Sequence, residues 1–249
     1  MRTFFGVSAF LAAVFVTVPF PAASQAFLDV EGGAAFTGYN DLRIPADTGT
    51  SLSLADDLSS DPALALRLRL GYTFAERHTV TALIAPLTVR GSGTLDKDVN
   101  YQGKTFAAGE RVDSVYRFDS YRLTYRYSFI RTDKLVVASG LTGKIRSADI
   151  ALMSEAGYAH RDDLGLVPLI NLWVQWKFAE PFSLLLDADA LWSPFGRAED
   201  ALLALQYHLN PNVAFRLGYR VLEGGSDGGG DVYTFALFNY LMAGITVSW

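Results

Sequence analysis

The chain has 249 residues, no cysteine and a formal net charge of −5 at pH 7. Without cysteine there is no disulfide, no thiolate metal site and no thiol for lipid attachment, and the acidic balance argues against a nucleic-acid partner. Half of the residues are apolar, yet beyond the N-terminus no apolar run reaches the ~18 residues of a membrane helix, so the apolarity must be carried in alternation.

Residues 1–26 read as a secretory signal peptide, leaving 27–249 as one domain. Arg2 is the basic start, Phe4 to Val18 the apolar stretch, Pro19 and Pro21 the break, and Ser24-Gln25-Ala26 the small-residue cleavage site. A first strand is expected over 27–39, with Leu28, Val30, Ala34 and Phe36 on one face and Asp29 and Glu31 on the other. The Asp-, Ser-, Thr- and Gly-rich stretch 40–60 reads as a long loop. The second strand is the plainest. Leu64, Leu66, Leu68, Leu70, Tyr72 and Phe74 are all even, with Arg67 and Arg69 between them. As a helix these leucines would spread around the circumference; as a strand they make one apolar face.

A third strand covers 79–89, with Pro86 marking a bulge because it lacks a ladder donor. The stretch 90–113 reads as a second long loop. The fourth strand, 115–129, turns Tyr121, Leu123, Tyr125, Tyr127 and Phe129 one way and Arg122 and Arg126 the other. The fifth, 135–147, puts Lys144 and Arg146 opposite Leu141 and Ile145, and 148–163 reads as a third polar loop. The sixth, 166–178, sets Lys177 and Asn171 against Ile170, Leu172, Trp176 and Phe178. The seventh, 182–192, sets Asp187 and Asp189 against Leu184 and Leu186. A loop is expected over 193–200. An eighth strand over 201–208 and a ninth over 213–221 follow, the latter with Arg216 and Arg220 opposite Phe215, Leu217 and Tyr219. The last ends the chain: Leu241, Ala243, Ile245, Val247 and Trp249 share a face.

Connections after the odd strands are long or Gly-rich, and those after the even strands take a few residues. Together with Gly244, Val247 and the terminal aromatic Trp249, this pattern resembles Gram-negative outer-membrane β-barrel proteins, whose last strand guides barrel assembly; Met242 stands where that family usually has a polar residue. The resemblance implies an all-β fold, a transmembrane antiparallel up-and-down barrel of about ten strands. Eight is the alternative if 201–208 is too short to cross, and twelve if 90–113 holds its own hairpin. It further implies export through the periplasm to the outer membrane, with outer-membrane lipid, lipopolysaccharide and the barrel-assembly machinery as partners. It leaves the oligomeric state open.

The face turned from lipid then carries Arg67, Arg69, Arg122, Arg126, Lys144, Arg146, Lys177, Arg216 and Arg220 against Asp29, Glu31, Asp187 and Asp189. Two readings follow: an ion-pair network filling a structural bore, or a narrow water-filled pore favouring anions. Both are non-catalytic. The alternative is an outer-membrane enzyme with a site at the external rim. Asp187-Ala188-Asp189 has the Asp-x-Asp spacing of omptin proteases, but their Asp-x-His pair is missing, and His78, His160 and His208 fall in different regions. No serine is singled out as the partner of a histidine, as in outer-membrane lipid A hydrolases. No metal or cofactor motif occurs.

Overall fold

The computed structural model describes residues 25–249 apart from Gly228 and Gly230; the signal-peptide expectation over 1–24 lies outside the described residues. The described chain is all β. Its strands are β1 (Gln25–Arg43), β2 (Leu52–Ser53), β3 (Ala63–Phe74), β4 (His78–Ala85), β5 (Thr88–Thr94), β6 (Val99–Tyr101), β7 (Lys104–Phe106), β8 (Arg111–Arg131), β9 (Leu135–Ser154), β10 (Gly157–Ala179), β11 (Phe182–Ser193), β12 (Gly196–Asn210), β13 (Val213–Asp227) and β14 (Tyr233–Ser248). Gln25 and Ala26, the last residues of the expected leader, already pair with Thr73 and Tyr72.

Neighbouring strands are antiparallel, and the wall closes where β14 pairs with β1, giving a ten-strand barrel. The seam runs to the last residue: Ala26 N donates to Trp249 O at 3.1 Å and Trp249 N to Ala26 O at 3.0 Å. β4 and β5 are two pieces of one wall strand. Both pair with β8, and the break at Pro86-Leu87 falls where proline cannot donate to the ladder.

Side chains alternate across the wall as the period of two demands. Leu64, Leu66, Leu68, Leu123, Leu172 and Leu217 lie exposed on the outside, while Arg67, Arg122, Asp187 and Arg216 are buried within. Phe74, Tyr127, Phe178, Phe182, Tyr207 and Trp249 are exposed on the outside near the rim that carries Gln25 and Trp249, as in the aromatic girdle of membrane barrels. That rim is called the terminal rim here, and its opposite the loop rim.

The expected long loops are where the structure departs from the sequence reading. The stretch 148–163 is wall: β9 and β10 run as one hairpin, with Ser154 opposite Gly157. The stretch 193–200 is also wall, since β11 and β12 pair to Ser193 opposite Gly196. Past the apolar belt the outward face of β9 and β10 carries Asp149, His160 and Asp162 in place of leucines, and composition alone then looks like a loop. The stretch 90–113 does contain a hairpin, β6–β7, but it forms a separate two-stranded sheet and adds nothing to the wall.

The stretch 40–60 is not a free loop either. Leu42, Ile44, Leu52, Leu54 and Leu58 are buried to within 1% of their surface. They cluster with Val99, Tyr101 and Phe106 of the small hairpin and with inward wall residues including Tyr116, Leu222, Phe238 and Tyr240. Backbone bonds fasten the pieces together: Gln102 N to Ile44 O at 3.0 Å and Thr50 N to Asn100 O at 2.9 Å. Tyr101 donates its hydroxyl to Ile150 O at 2.8 Å, and burial pushes that phenol above its ordinary pKa. The segment also leans on β5, with Asp61 N bonded to Arg90 O at 2.7 Å. Gly91 and Gly93 permit that approach, because a Cβ on either would come within 2.7 Å of Leu58 O or 2.2 Å of Asp57 O. The loop-end part of the barrel is therefore a packed apolar plug.

Candidate functional site: a charged lumen above an open vestibule

Below the plug the bore changes character. Asp200 on β12 is the hub. It takes Arg67 Nη2 at 3.2 Å, Arg122 Nη2 at 2.5 Å and an Arg220 amino group. Glu31 on β1 is the second hub, with Arg67 at 3.1 Å, Arg216 at 2.9 Å and Arg220 at 3.1 Å. Arg216 also grips Asp29, Nη2 to Oδ1 at 2.7 Å, and Thr246 donates to the same carboxylate at 2.6 Å. Arg69 pairs with Asp187 at 2.8 Å and Arg122 with Asp189 at 2.8 Å. Asp189 further accepts from Thr142 at 2.7 Å and Asn171 at 3.0 Å. Each buried carboxylate thus has ionic partners and, in most cases, neutral donors as well, which is what burying charge requires. Gly244, across the ladder from Arg216, has a structural reason: a Cβ there would stand 2.9 Å from the Arg216 guanidinium carbon.

The network differs from the expected set in three ways. Asp200, assigned to a loop from the sequence, is one of its two hubs, holding three arginines as Glu31 does. The signal was present, since Asp200 shares the inward parity of Leu202, Ala204 and Gln206, all buried. Arg146 and Lys177 do not belong to it: Arg146 pairs with Asp163 toward the loop rim, and Lys177 meets Glu180 at 3.5 Å on the terminal rim. Arg126 and Lys144 are buried without a carboxylate within ion-pair distance among the described residues. Arg126 lies 4.8 Å from the Trp173 ring centre, and Lys144 lies 4.7 Å from that of Phe118. Seven inward cations (Arg67, Arg69, Arg122, Arg126, Lys144, Arg216, Arg220) therefore face five carboxylates (Asp29, Glu31, Asp187, Asp189, Asp200), and the two left over are the two that rest on aromatic rings.

Between this network and the terminal rim the bore opens into a cavity of about 560 Å³. Arg69, Arg126 and Arg216 line it toward the network, Trp173, Gln175 and Gln206 line its wall, and Arg77, Arg131 and Asp133 belong to its mouth.

Asp187 and Asp189 are both buried and held by arginine in mid-bore. His160 lies on β10 at the opposite end, 3.2 Å from Asp149 and stacked on Tyr158. His78 bonds Tyr125 at 2.8 Å near the terminal rim. One pairing was missed by sequence reasoning: Ser183 Oγ and His208 Nε2 are 2.7 Å apart. Ser183 is wholly buried and also bonds Gln206 at 3.1 Å, so its hydroxyl is closed off from the bore in this structure. Among the described residues no carboxylate pairs with His208, and no group of three or more His, Cys, Asp or Glu is placed to hold a metal ion.

No family model and no curated protein matches the chain. Solved structures do. The outer-membrane protease OmpT of Escherichia coli superposes with a TM-score of 0.53 at 11% identity, covering 94% of this chain and 99% of that one. The fold is that of an outer-membrane β-barrel. The transport unit of the autotransporter AIDA-I of Escherichia coli aligns at a TM-score of 0.49 and 8% identity, over 95% of this chain and 94% of that one. Ail of Yersinia pestis, solved with a heparin analogue, aligns at 0.41 and 12% over 90% and 99%. At these identities the likeness concerns the fold alone.

Proposed function

We propose that this protein is an integral outer-membrane barrel whose bore is sealed, acting as a structural, non-catalytic membrane component. On this reading residues 1–26 direct export, the barrel-assembly machinery inserts the chain through its last strand, and lipid and lipopolysaccharide surround the leucine belt. The terminal rim then faces the periplasm. The observation that carries the reading is the filling of the bore at two successive levels, the apolar plug around Phe106 and Phe238 and the ion-pair layer around Asp200 and Glu31. A conducting anion path would need several unpaired cations in series, whereas of the seven inward cations named above five have carboxylate partners and Arg126 and Lys144 do not.

Single-channel recording of the purified protein in a planar bilayer tests this. The expected result is no unitary current. Stable current steps, anion- or cation-selective, would overturn the sealed bore. Turnover of lipopolysaccharide or of a basic peptide, lost in His160→Ala or Ser183→Ala, would overturn the non-catalytic assignment.

A further inference from the structure

We infer that the vestibule at the terminal rim is a binding site for a small molecule bearing one oxyanion, carboxylate or phosphate, with Arg126 as its anchor. Arg126 is 92% buried, yet no carboxylate and no hydrogen-bond acceptor holds it among the described residues. Its neighbours are already committed. Asp187 is paired with Arg69 at 2.8 Å, and Asp29 with Arg216 at 2.7 Å. The guanidinium lies over the Trp173 ring and lines the cavity, and its N–H groups match two oxygens of a carboxylate or phosphate.

A buried charge without a partner is costly to keep, and a ligand that supplies the partner relieves that cost. The cavity is large enough for more than an inorganic ion, since small-molecule pockets span roughly 300–1,000 Å³. Gln175 and Gln206 offer amide groups on its wall, joined to each other by a 2.8 Å hydrogen bond. At the mouth Arg77 and Arg131 are offset by Glu76 and Asp133, so the unbalanced charge in the cavity is the one at Arg126. Lys144, the other spare cation, does not line this cavity.

The inference builds on the sealed bore only for the side of entry, and the two fail separately: an open bore shows in ligand-free recordings, a missing site only in binding. The test is calorimetric titration of the folded protein in detergent with benzoate, inorganic phosphate and neutral benzamide. Benzoate or phosphate is expected to bind, and benzamide at least tenfold more weakly than benzoate. Arg126→Gln should weaken the bound anion at least tenfold, about 1.4 kcal/mol, with partial recovery in Arg126→Lys. A preference for benzoate over phosphate assigns an organic acid, and the reverse a phosphate compound. Three results overturn the site: neither anion binding the wild type below about 10 mM, benzamide binding as well as benzoate, or Arg126→Gln binding as the wild type does. The benzoate–benzamide comparison is made on the wild type and stands even if Arg126→Gln does not fold.

Discussion

The loop-end half of the bore and its middle are enclosed by the same ten strands but filled by opposite means. Near the loop rim, segment 44–58 and the β6–β7 hairpin bring Ile44, Leu52, Leu54, Leu58 and Phe106 against Tyr116 and Phe238. In the middle, five carboxylates and their arginines span the wall from β1 and β3 to β8, β11, β12 and β13. An apolar filling tolerates loss of one side chain as a cavity, at a cost set by how far the neighbours relax. An ionic filling does not, because deleting one partner strands the others in a poorly hydrated space. The two halves should therefore respond differently to single substitutions.

The largest effect is expected at Asp200. Asp200→Asn keeps the shape but removes the charge that Arg67, Arg122 and Arg220 share, and should cost ~3–5 kcal/mol. Urea unfolding in lipid vesicles measures it; a loss under about 1 kcal/mol, the range of an exposed pair, would mean that the middle of the bore is hydrated rather than packed. In the plug, Phe106→Ala should cost about 3 kcal/mol. That loss should be local, seen as faster amide exchange in 99–106 while the wall strands stay protected. Uniform deprotection of the barrel would show that plug and wall unfold as one unit. The smallest effect is expected at Lys144. Lys144→Met removes a charge with no ionic partner and keeps an apolar chain against Phe118, so stability should hold or rise by up to about 1 kcal/mol. A loss comparable to Asp200→Asn would show that Lys144 belongs to the ionic layer after all.

These contrasts also explain what the sequence could and could not convey. The outward face was legible because it depends only on local alternation: Leu64 to Phe74 announce β3 without reference to any other strand. Most of the inward charges were legible for the same reason, although Arg146 and Lys177 share that parity without joining the network. Their partners were not, since who meets whom is fixed by the stagger of strands far apart in the chain. Asp200 was read as loop because Gly196 to Asp200 lies past the apolar belt, where the wall continues without its lipid-facing signature. The plug was hidden differently. Leu42, Ile44, Leu52, Leu54 and Leu58 sit at irregular spacing among Asp, Ser and Thr, so they form neither a strand face nor a helical stripe. Ser183 and His208 became neighbours only through pairing of β11 with β12.

The seam between β1 and β14 has a consequence for the order of events in time. Arg216 and Asp29 are 187 residues apart in sequence, Arg220 and Glu31 189, and Arg67 and Asp200 133. None of these pairs can meet until the two ends of the chain lie side by side, and contacts across such separations are slow to reach. The ionic layer is then a late lock rather than a nucleus, and interactions absent from the transition state act on the rate of escape. The loss in Asp200→Asn should accordingly appear as accelerated unfolding, with the refolding rate nearly unchanged, so that the layer works as a latch on a barrel already closed.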